Sequence, residues 1–185
     1  MHPKTKARLY VLFIFLACAA PVALSLFTYY VWKPEKRMNY GELLTASPIS
    51  CVNLKTTTGE PFDEKAVKGK WVLLLVDDFN CTAACGKRLY AMRQSVLAME
   101  IKKEKLAQVW MTAPVGNPDG DLTAQYPRTV LLASDAEWLQ KLPQPSVGRI
   151  LLIDPNGVPV LRYPEMPEPA RMMKDLGRLL DVKRM

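Results

Sequence analysis

The chain has 185 residues, 49% of them hydrophobic, and a formal net charge of +7 at pH 7. Once an N-terminal apolar segment is set aside, this length suits one domain of ordinary size with its own core. The charge does not indicate a nucleic-acid-binding protein, because +5 of it comes from residues that flank the apolar segment: Lys4, Lys6, Arg8, Lys33, Glu35, Lys36 and Arg37. The remaining residues are nearly balanced in charge, so we expect no nucleic-acid partner.

The apolar segment covers residues 9–32 and contains no charged side chain. It is long enough to cross a hydrocarbon core of about 30 Å as a helix. A cleaved signal peptide is the alternative, because residues 9–20 resemble an apolar signal core followed by small residues. However, the apolar run continues much further and ends in three aromatic residues typical of a membrane interface, Tyr29, Tyr30 and Trp32. We therefore predict a retained membrane anchor.

The chain is accordingly divided into a basic tail (1–8), a transmembrane helix (9–32), a tether (33–48) and a folded domain (49–185). Basic residues flank both ends of the helix, so the positive-inside rule does not decide its orientation. The short tail and the paired cysteines of the domain favour a domain outside the cytoplasm. We predict a single-pass protein of the inner (cytoplasmic) membrane with its domain in the periplasm, or in a mitochondrial intermembrane space.

The first half of the domain shows strand and helix patterns in turn. Residues 50–55 alternate apolar and polar side chains before a Thr–Gly–Glu turn, which predicts a short hairpin ending near Phe62. Residues 72–76 are apolar without alternation, as in a strand that is covered on both faces. A helix with its charges outward is expected after Cys85, to about residue 103. A further strand is predicted at 106–111.

The second half continues with a loop, a strand and further paired elements. Residues 113–125 are rich in proline and glycine and predict a loop. A strand at 128–133 leads to a helix that Ser134 caps and that extends to residue 142. The turn sequence Asp–Pro–Asn–Gly joins two strands as a hairpin, and Pro169 begins a final helix with one apolar stripe. The two hairpin strands are residues 149–153 and 158–162, and the apolar stripe of the final helix consists of Met172, Met173, Leu176, Leu179 and Leu180.

This order of elements predicts an α/β protein of thioredoxin-like fold, with a central mixed sheet flanked by helices and one N-terminal transmembrane helix before it. Cys81 and Cys85 lie where the central strand leads into a helix. Backbone N–H groups at a helix start favour a thiolate, so the pair is suited to act as a nucleophile or as ligands for a soft metal. Nearby carboxylates oppose a thiolate and nearby cations favour it; these are Asp77, Asp78, Lys87 and Arg88.

Four runs of sequence resemble the membrane-anchored Sco/SenC proteins of the thioredoxin-like superfamily: residues 57–62, 69–72, 81–85 and 151–157. The three-residue spacing between the cysteines is the most informative of these features, since thioredoxins themselves use two. The resemblance covers about residues 50–180. It implies a role in building the copper centre of cytochrome c oxidase, either by handing over copper or by reducing copper-binding cysteines. The implied partners are an oxidase subunit or its assembly factors, besides the membrane.

The chain departs from this family at the third copper ligand. The family completes its copper site with a histidine before the Leu–Ile–Asp–Pro strand, where Ser146 aligns here, and the only histidine is His2. Two thiolates alone can bind Cu(I), so Cys81 and Cys85 stay candidate copper ligands, although no cofactor is required. The missing histidine favours thiol–disulfide chemistry, with the same two cysteines as catalytic residues. Thioredoxin-type oxidoreductases also place a cis-proline just before this strand, and here Pro145 lies too far upstream to fill that position. This departure favours action on one partner over general exchange with unfolded proteins.

Two alternatives to this interpretation stay open. The cysteines form a structural disulfide or a remnant pair, in which case the protein is a non-catalytic accessory subunit of a membrane respiratory complex. A peroxiredoxin-like peroxidase is a lesser alternative, because the spacing of Thr82 and Cys85 fits that motif while its preceding proline is absent. Whether the chain is an enzyme with thiol–disulfide oxidoreductase activity depends on which of these applies.

Overall fold

A computed structural model of the protein describes residues 3–31, 39–49, 54–78, 80–100, 103–112, 118 and 120–181. The chain forms two compact units, Met1–Met38 and Asn39–Met185, which we describe separately. The boundaries of the tail, tether and domain stay predictions.

The first unit contains one long helix, α1 (Pro3–Val31). Residues Tyr10–Thr28 form the part that is long and apolar enough to cross a membrane by length and composition, a property that signal sequences share. Its large apolar side chains are exposed, Phe13 by 73% for example. A helix that is apolar on all sides needs an apolar environment. The side chains of the predicted aromatic belt, Tyr29, Tyr30 and Trp32, lie outside the described ones.

The second unit is a single mixed sheet with helices on it. Its described strands are β1 (Glu42–Leu43), β2 (Lys55–Thr56), β3 (Trp71–Val76), β4 (Leu106–Thr112), β5 (Thr129–Ala133), β6 (Arg149–Ile153) and β7 (Pro159–Arg162), and its helices are α2 (Ala83–Leu97), α3 (Gly120–Gln125), α4 (Ala136–Gln140) and α5 (Pro169–Asp181). The strand order is β1-β7-β6-β3-β4-β5-β2. Strand β3 is parallel to β4 and antiparallel to β6. This architecture confirms the predicted thioredoxin-like α/β fold.

Strand β3 lies at the centre, and its side chains alternate between two buried faces. Leu73 and Leu75 contribute to a core with α2 and α5, whereas Leu74 packs with Trp138 of α4 on the opposite face. Leu73 and Leu75 are fully buried and Leu74 is 2% exposed. Coverage of both faces explains why this strand is apolar at every position. The end of β3, which the cysteines follow in the chain, is therefore held by packing on both faces of the sheet.

Helix α2 is shorter than predicted. It begins at Ala83 and ends at Leu97 instead of near residue 103. The N–H of Ala98 donates to Gln94 O at 3.1 Å and that of Met99 donates to Val96 O at 3.1 Å, so the last turn tightens and the helix closes. The helical spacing of the sequence continues, but the chain has to turn back to begin β4.

Two other element predictions need correction. Residues 120–125, predicted as loop, form helix α3, and Leu122 packs against the core. The cap of α4 is Asp135 and not Ser134, because the Asp135 carboxylate accepts the Trp138 N–H at 2.7 Å. Helix α4 also ends at Gln140, two residues before the predicted end.

In the described residues, the predicted N-terminal hairpin consists of a bridge between Lys55 and Pro61, with the Phe62 N–H donating to Leu54 O at 3.0 Å. Strand β2 instead pairs with β5, and residues 50–53 of the predicted first strand lie outside the described residues, with Cys51 among them. Strand β1 lies within the stretch predicted as tether and pairs with β7. The C-terminal hairpin of β6 and β7 and helix α5 are confirmed, with Pro169 as the first residue of α5.

Candidate functional site

Cys81 and Cys85 are joined in a disulfide at the start of α2, with Cα atoms 5.2 Å apart. Cys81 is half-buried, whereas Cys85 is fully buried in the core between the sheet and the helices α2 and α5. A reagent from solvent therefore reaches Cys81 first. The structure brings together the two residues that the sequence nominated; their catalytic and copper-binding roles stay predictions.

The helix start is set by Thr82, which lies between the two cysteines. Its backbone is extended, and its hydroxyl oxygen accepts the N–H of Cys85 at 3.4 Å. A threonine in this position satisfies one of the donors that a helix start leaves free. The disulfide therefore encloses the cap of α2, and Cys85 lies in the first helical turn, where the helix dipole favours negative charge on sulfur.

One ion pair joins residues that lie close to the disulfide in the chain. Arg88 Nη1 is 2.6 Å from Asp77 Oδ2, and the two side chains are 11% and 15% exposed. Asp77 follows β3 directly, and its N–H donates to Met111 O at 3.0 Å. The sequence left open whether carboxylates or cations dominate here. In the structure, the carboxylate of Asp77 is paired with the cation of Arg88, whereas Asp78 and Lys87 are exposed.

Arg88 also connects α2 to two loops. Its Nε donates to the backbone oxygen of Glu165 at 2.9 Å. Its Nη2 lies 3.4 Å from the place that a Cβ on Gly148 would occupy, and Gly148 has a φ of +70°. The Gly148 N–H in turn donates to Val76 O at 2.8 Å, which ties this loop to the end of β3. These contacts were not foreseen from the sequence, in which Arg88 is one of several helix cations.

Ser146, which the resemblance to Sco/SenC proteins places at or near their copper-ligand histidine, is fully buried. Its hydroxyl has no hydrogen-bond partner among the described residues. No group of three or more histidine, cysteine or acidic side chains suited to a metal occurs in the described part of the chain, and His2 lies outside it. A metal bound by Cys81 and Cys85 would require the disulfide to be reduced first, because the thiolate is the metal ligand.

The Gln144–Pro145 peptide bond is cis. From the sequence, Pro145 lies too far upstream of β6 to fill the cis-proline position of thioredoxins; in the structure it is cis and lies four residues before β6, not directly before the strand. The nearby oxygen of Gln144 accepts a hydrogen bond from Arg162 of β7.

A second polar cluster lies at the N-terminal end of the domain. The buried carboxylate of Asp175 accepts the N–H of Gly41 at 2.9 Å and that of Tyr40 at 2.9 Å. Burial, and then the negative charge of Asp175, raise the pKa of the Tyr163 hydroxyl well above its usual range. Tyr163 is fully buried, and its ring lies 6.1 Å from that of Tyr40. This cluster fixes the first described residues of the domain to α5.

A cavity of about 420 Å³ lies on the face of the sheet that packs against α4. Its apolar walls include Leu74, Val109, Met111 and Trp138. Since successive residues of β3 point to opposite faces, this cavity lies across the sheet from the core that contains Cys85. It does not form part of the disulfide site.

Solved structures with the same fold include several Sco proteins. Yeast Sco1 with copper bound is 17% identical, with a TM-score of 0.60 over 78% of this chain and 97% of that chain. ScoI of Bradyrhizobium japonicum with copper bound is 18% identical, with a TM-score of 0.54 over 73% and 99%. BsSco, in which a disulfide switch was identified, belongs to the Sco family of cytochrome c oxidase assembly proteins; it is 14% identical, with a TM-score of 0.55 over 78% and 99%. The predicted resemblance to Sco/SenC proteins is thus confirmed for the fold.

Comparison with curated protein sequences gives no match. A family model described as the C-terminal domain of transmembrane-like, thioredoxin-like proteins matches residues 71–183. The match begins with β3 and includes the disulfide, the hairpin of β6 and β7, and α5, which amounts to more than half of the chain. The chain therefore belongs to the transmembrane-like, thioredoxin-like protein family.

Proposed function

We propose that this protein is a membrane-anchored thioredoxin-like factor that assists the maturation of the copper centre of cytochrome c oxidase by thiol–disulfide exchange at Cys81 and Cys85. The observation that carries the proposal is the disulfide itself, which joins a half-buried sulfur to a fully buried one at a helix start. This arrangement gives one accessible and one protected sulfur, as a dithiol reductant requires. The Sco proteins of similar fold support the choice of pathway.

In the proposed reaction, the reduced Cys81 thiolate attacks a disulfide formed by the partner's copper-binding cysteines. A mixed disulfide forms between Cys81 and one partner sulfur, and the other partner sulfur leaves as a thiolate. Cys85 then attacks Cys81 Sγ, which releases the partner as a dithiol and restores the Cys81–Cys85 disulfide. Two electrons pass to the partner, and a thiol reductant returns the pair to its reduced form.

Copper transfer is the second candidate function, with Cu(I) as cargo. Two thiolates suit this soft ion, and related folds have been solved with copper bound. The buried Ser146 hydroxyl is a poor substitute for an imidazole ligand, so we place exchange chemistry ahead of copper transfer. In either case we propose that α1 holds the domain at the inner membrane on its periplasmic side.

Replacement of both cysteines in the host tests the proposal. The full chain with Cys81→Ser and Cys85→Ser should accumulate but fail to restore oxidase activity to a strain that lacks the gene. Cys18→Ser is the matched control, because Cys18 is a free cysteine in α1, away from the pair in sequence, and should restore activity fully. Full oxidase activity with the double variant would contradict a cysteine mechanism. Co-purification of that variant with the oxidase would then identify a non-catalytic accessory subunit.

A Cu(I) titration of the reduced protein separates the two chemistries. Exchange chemistry predicts a measurable dithiol potential and oxidase maturation that does not depend on copper loading of this chain. Tight binding of one Cu(I) per chain, lost in the double serine variant, would favour copper transfer instead.

A further inference from the structure

The ion pair of Arg88 and Asp77 includes a cation on α2, the helix that also contains Cys85. Cys85 and Arg88 are three residues apart on α2, a spacing that puts two side chains next to each other on a helix surface. Arg88 is only 11% exposed, and three neighbours fix it: Asp77, the Glu165 oxygen and the Gly148 loop. A guanidinium held in this way is not a solvated surface cation.

Burial decides which sulfur would carry charge when the disulfide opens. Cys85 is fully buried and Cys81 is half-buried, so an external thiolate attacks Cys81 Sγ. The S–S bond breaks, a mixed disulfide forms on Cys81, and Cys85 Sγ leaves with the electron pair. The negative charge therefore develops on the sulfur that lies one helical turn before Arg88.

We propose that Arg88 stabilises the departing Cys85 sulfur through its charge, and that Asp77 is a positioning residue that holds the guanidinium and offsets part of its effect. The inference rests on the proposed exchange function of the pair. A fixed cation in a site shielded from water stabilises developing negative charge more than a mobile surface lysine does. The nearby Lys87 is exposed and provides the comparison.

The two members of the ion pair make opposite predictions. Arg88→Met removes the cation and leaves the Asp77 carboxylate, so opening should slow by about tenfold, as expected for one partly screened charge. Asp77→Asn keeps an oxygen to accept the Arg88 hydrogen bond but removes the negative charge, so opening should be faster by several-fold. A purely structural role for the pair would slow or speed both variants in the same direction.

The test measures the rate constant with which dithiothreitol opens the disulfide in the full chain in detergent micelles. Samples at one pH and ionic strength are quenched with an alkylating reagent and analysed by mass spectrometry. Lys87→Met is the matched control: it makes the same change in net charge on the next residue and should stay within about twofold of the wild type, as a solvent-screened charge does. Arg88→Lys should recover most of the rate lost in Arg88→Met, because the charge is restored.

Each result separates this inference from the proposed function. Slower opening in Arg88→Met with faster opening in Asp77→Asn supports the inference. Equal rates in all variants, or changes of the same sign in both, would overturn it while leaving the exchange function intact. If Arg88→Met fails to fold, Asp77→Asn against Lys87→Met decides: faster opening in Asp77→Asn supports the inference, and an unchanged or slower rate overturns it. A wild-type disulfide that dithiothreitol opens only on unfolding would instead refute the exchange function.

Discussion

At the scale of single residues, Tyr163 links the stability of the domain to pH. Its hydroxyl is buried without a partner among the described residues, and burial raises its pKa. An unfolded tyrosine has a pKa of about 10, so below that pH the hydroxyl is neutral in both states and the domain keeps its full stability. As pH rises above about 10, the hydroxyl ionises more readily in the unfolded chain, which lowers the free energy of unfolding. We predict that the free energy of unfolding of residues 39–185 falls above pH 10.

The control for this prediction is a pair of phenylalanine variants. Tyr163→Phe removes the titrating group and should flatten the decline between about pH 10 and 11 in urea unfolding curves. Tyr90→Phe should not, because Tyr90 is 54% exposed. The same decline in Tyr163→Phe and in the wild type would contradict the assignment.

Asp175 provides a second prediction at this scale. Asp175→Ala leaves the N–H groups of Tyr40 and Gly41 without their acceptor, so it should cost about 2–4 kcal/mol in the free energy of unfolding. Asp175→Asn keeps one oxygen for both donors and should cost about 1 kcal/mol, by the same urea titration. Equal costs for the two variants would show that the carboxylate does not act through these bonds.

The sequence could have indicated Asp175 but not its partners. It lies three residues after Met172 and one before Leu176, on the stripe that the helical spacing marks as buried. A carboxylate on a buried stripe requires hydrogen-bond donors. Those donors are backbone groups about 135 residues away in the chain, and no local pattern identifies them.

At the scale of elements, two glycines should respond in opposite ways to the same substitution. Gly157, in the turn between β6 and β7, has a φ of +83°, and an added Cβ would lie 3.0 Å from the Ile49 oxygen. Gly157→Ala should therefore destabilise the domain by about 1–2 kcal/mol. Gly177 lies inside α5 with open space around it, so Gly177→Ala should stabilise by about 0.5–1 kcal/mol. Thermal unfolding of both variants measures the contrast, and a stabilising Gly157→Ala would contradict the turn geometry.

Elements with strong patterns were predicted well, and those that depend on distant contacts were not. Strand β3, the hairpin of β6 and β7, and α5 follow from apolar runs, an Asp–Pro–Asn–Gly turn and a helical stripe. Helix α3 was missed because glycine and proline around it indicate a loop. Its contribution to the fold, the packing of Leu122 on the core, is a tertiary contact.

At the scale of the whole molecule, the N-terminal apolar helix is either retained as a membrane anchor or cleaved as a signal peptide, and the two cases can be distinguished. If α1 is retained, the mature protein should stay in the membrane fraction after alkaline carbonate and be released only by detergent. A chain without residues 1–38 but with an exported leader should be soluble and should restore oxidase activity less well. A mature protein that begins after about residue 20 would show that the segment is a signal peptide.

The fold could be read from the order of elements, whereas the chemistry of the site could not. The spacing of Cys81 and Cys85 located the site. Because position 146 is a serine and not a histidine, copper binding became a weaker prediction, and exchange, copper transfer and a structural disulfide all remained options. Our proposal of exchange chemistry rests on the environment of the sulfurs, namely the buried Cys85 and the paired charges of Arg88 and Asp77, and sequence spacing does not show these features.

Equilibration of the full chain with glutathione redox buffers tests the central claim most directly. The fraction of Cys81–Cys85 disulfide is measured by alkylation under native conditions. Exchange chemistry predicts one reversible two-electron transition, at a potential above about −300 mV, where thiol pools of the cell can act on it. A disulfide that stays closed throughout the buffers and opens only under stronger reduction would contradict the claim and identify a structural cross-link.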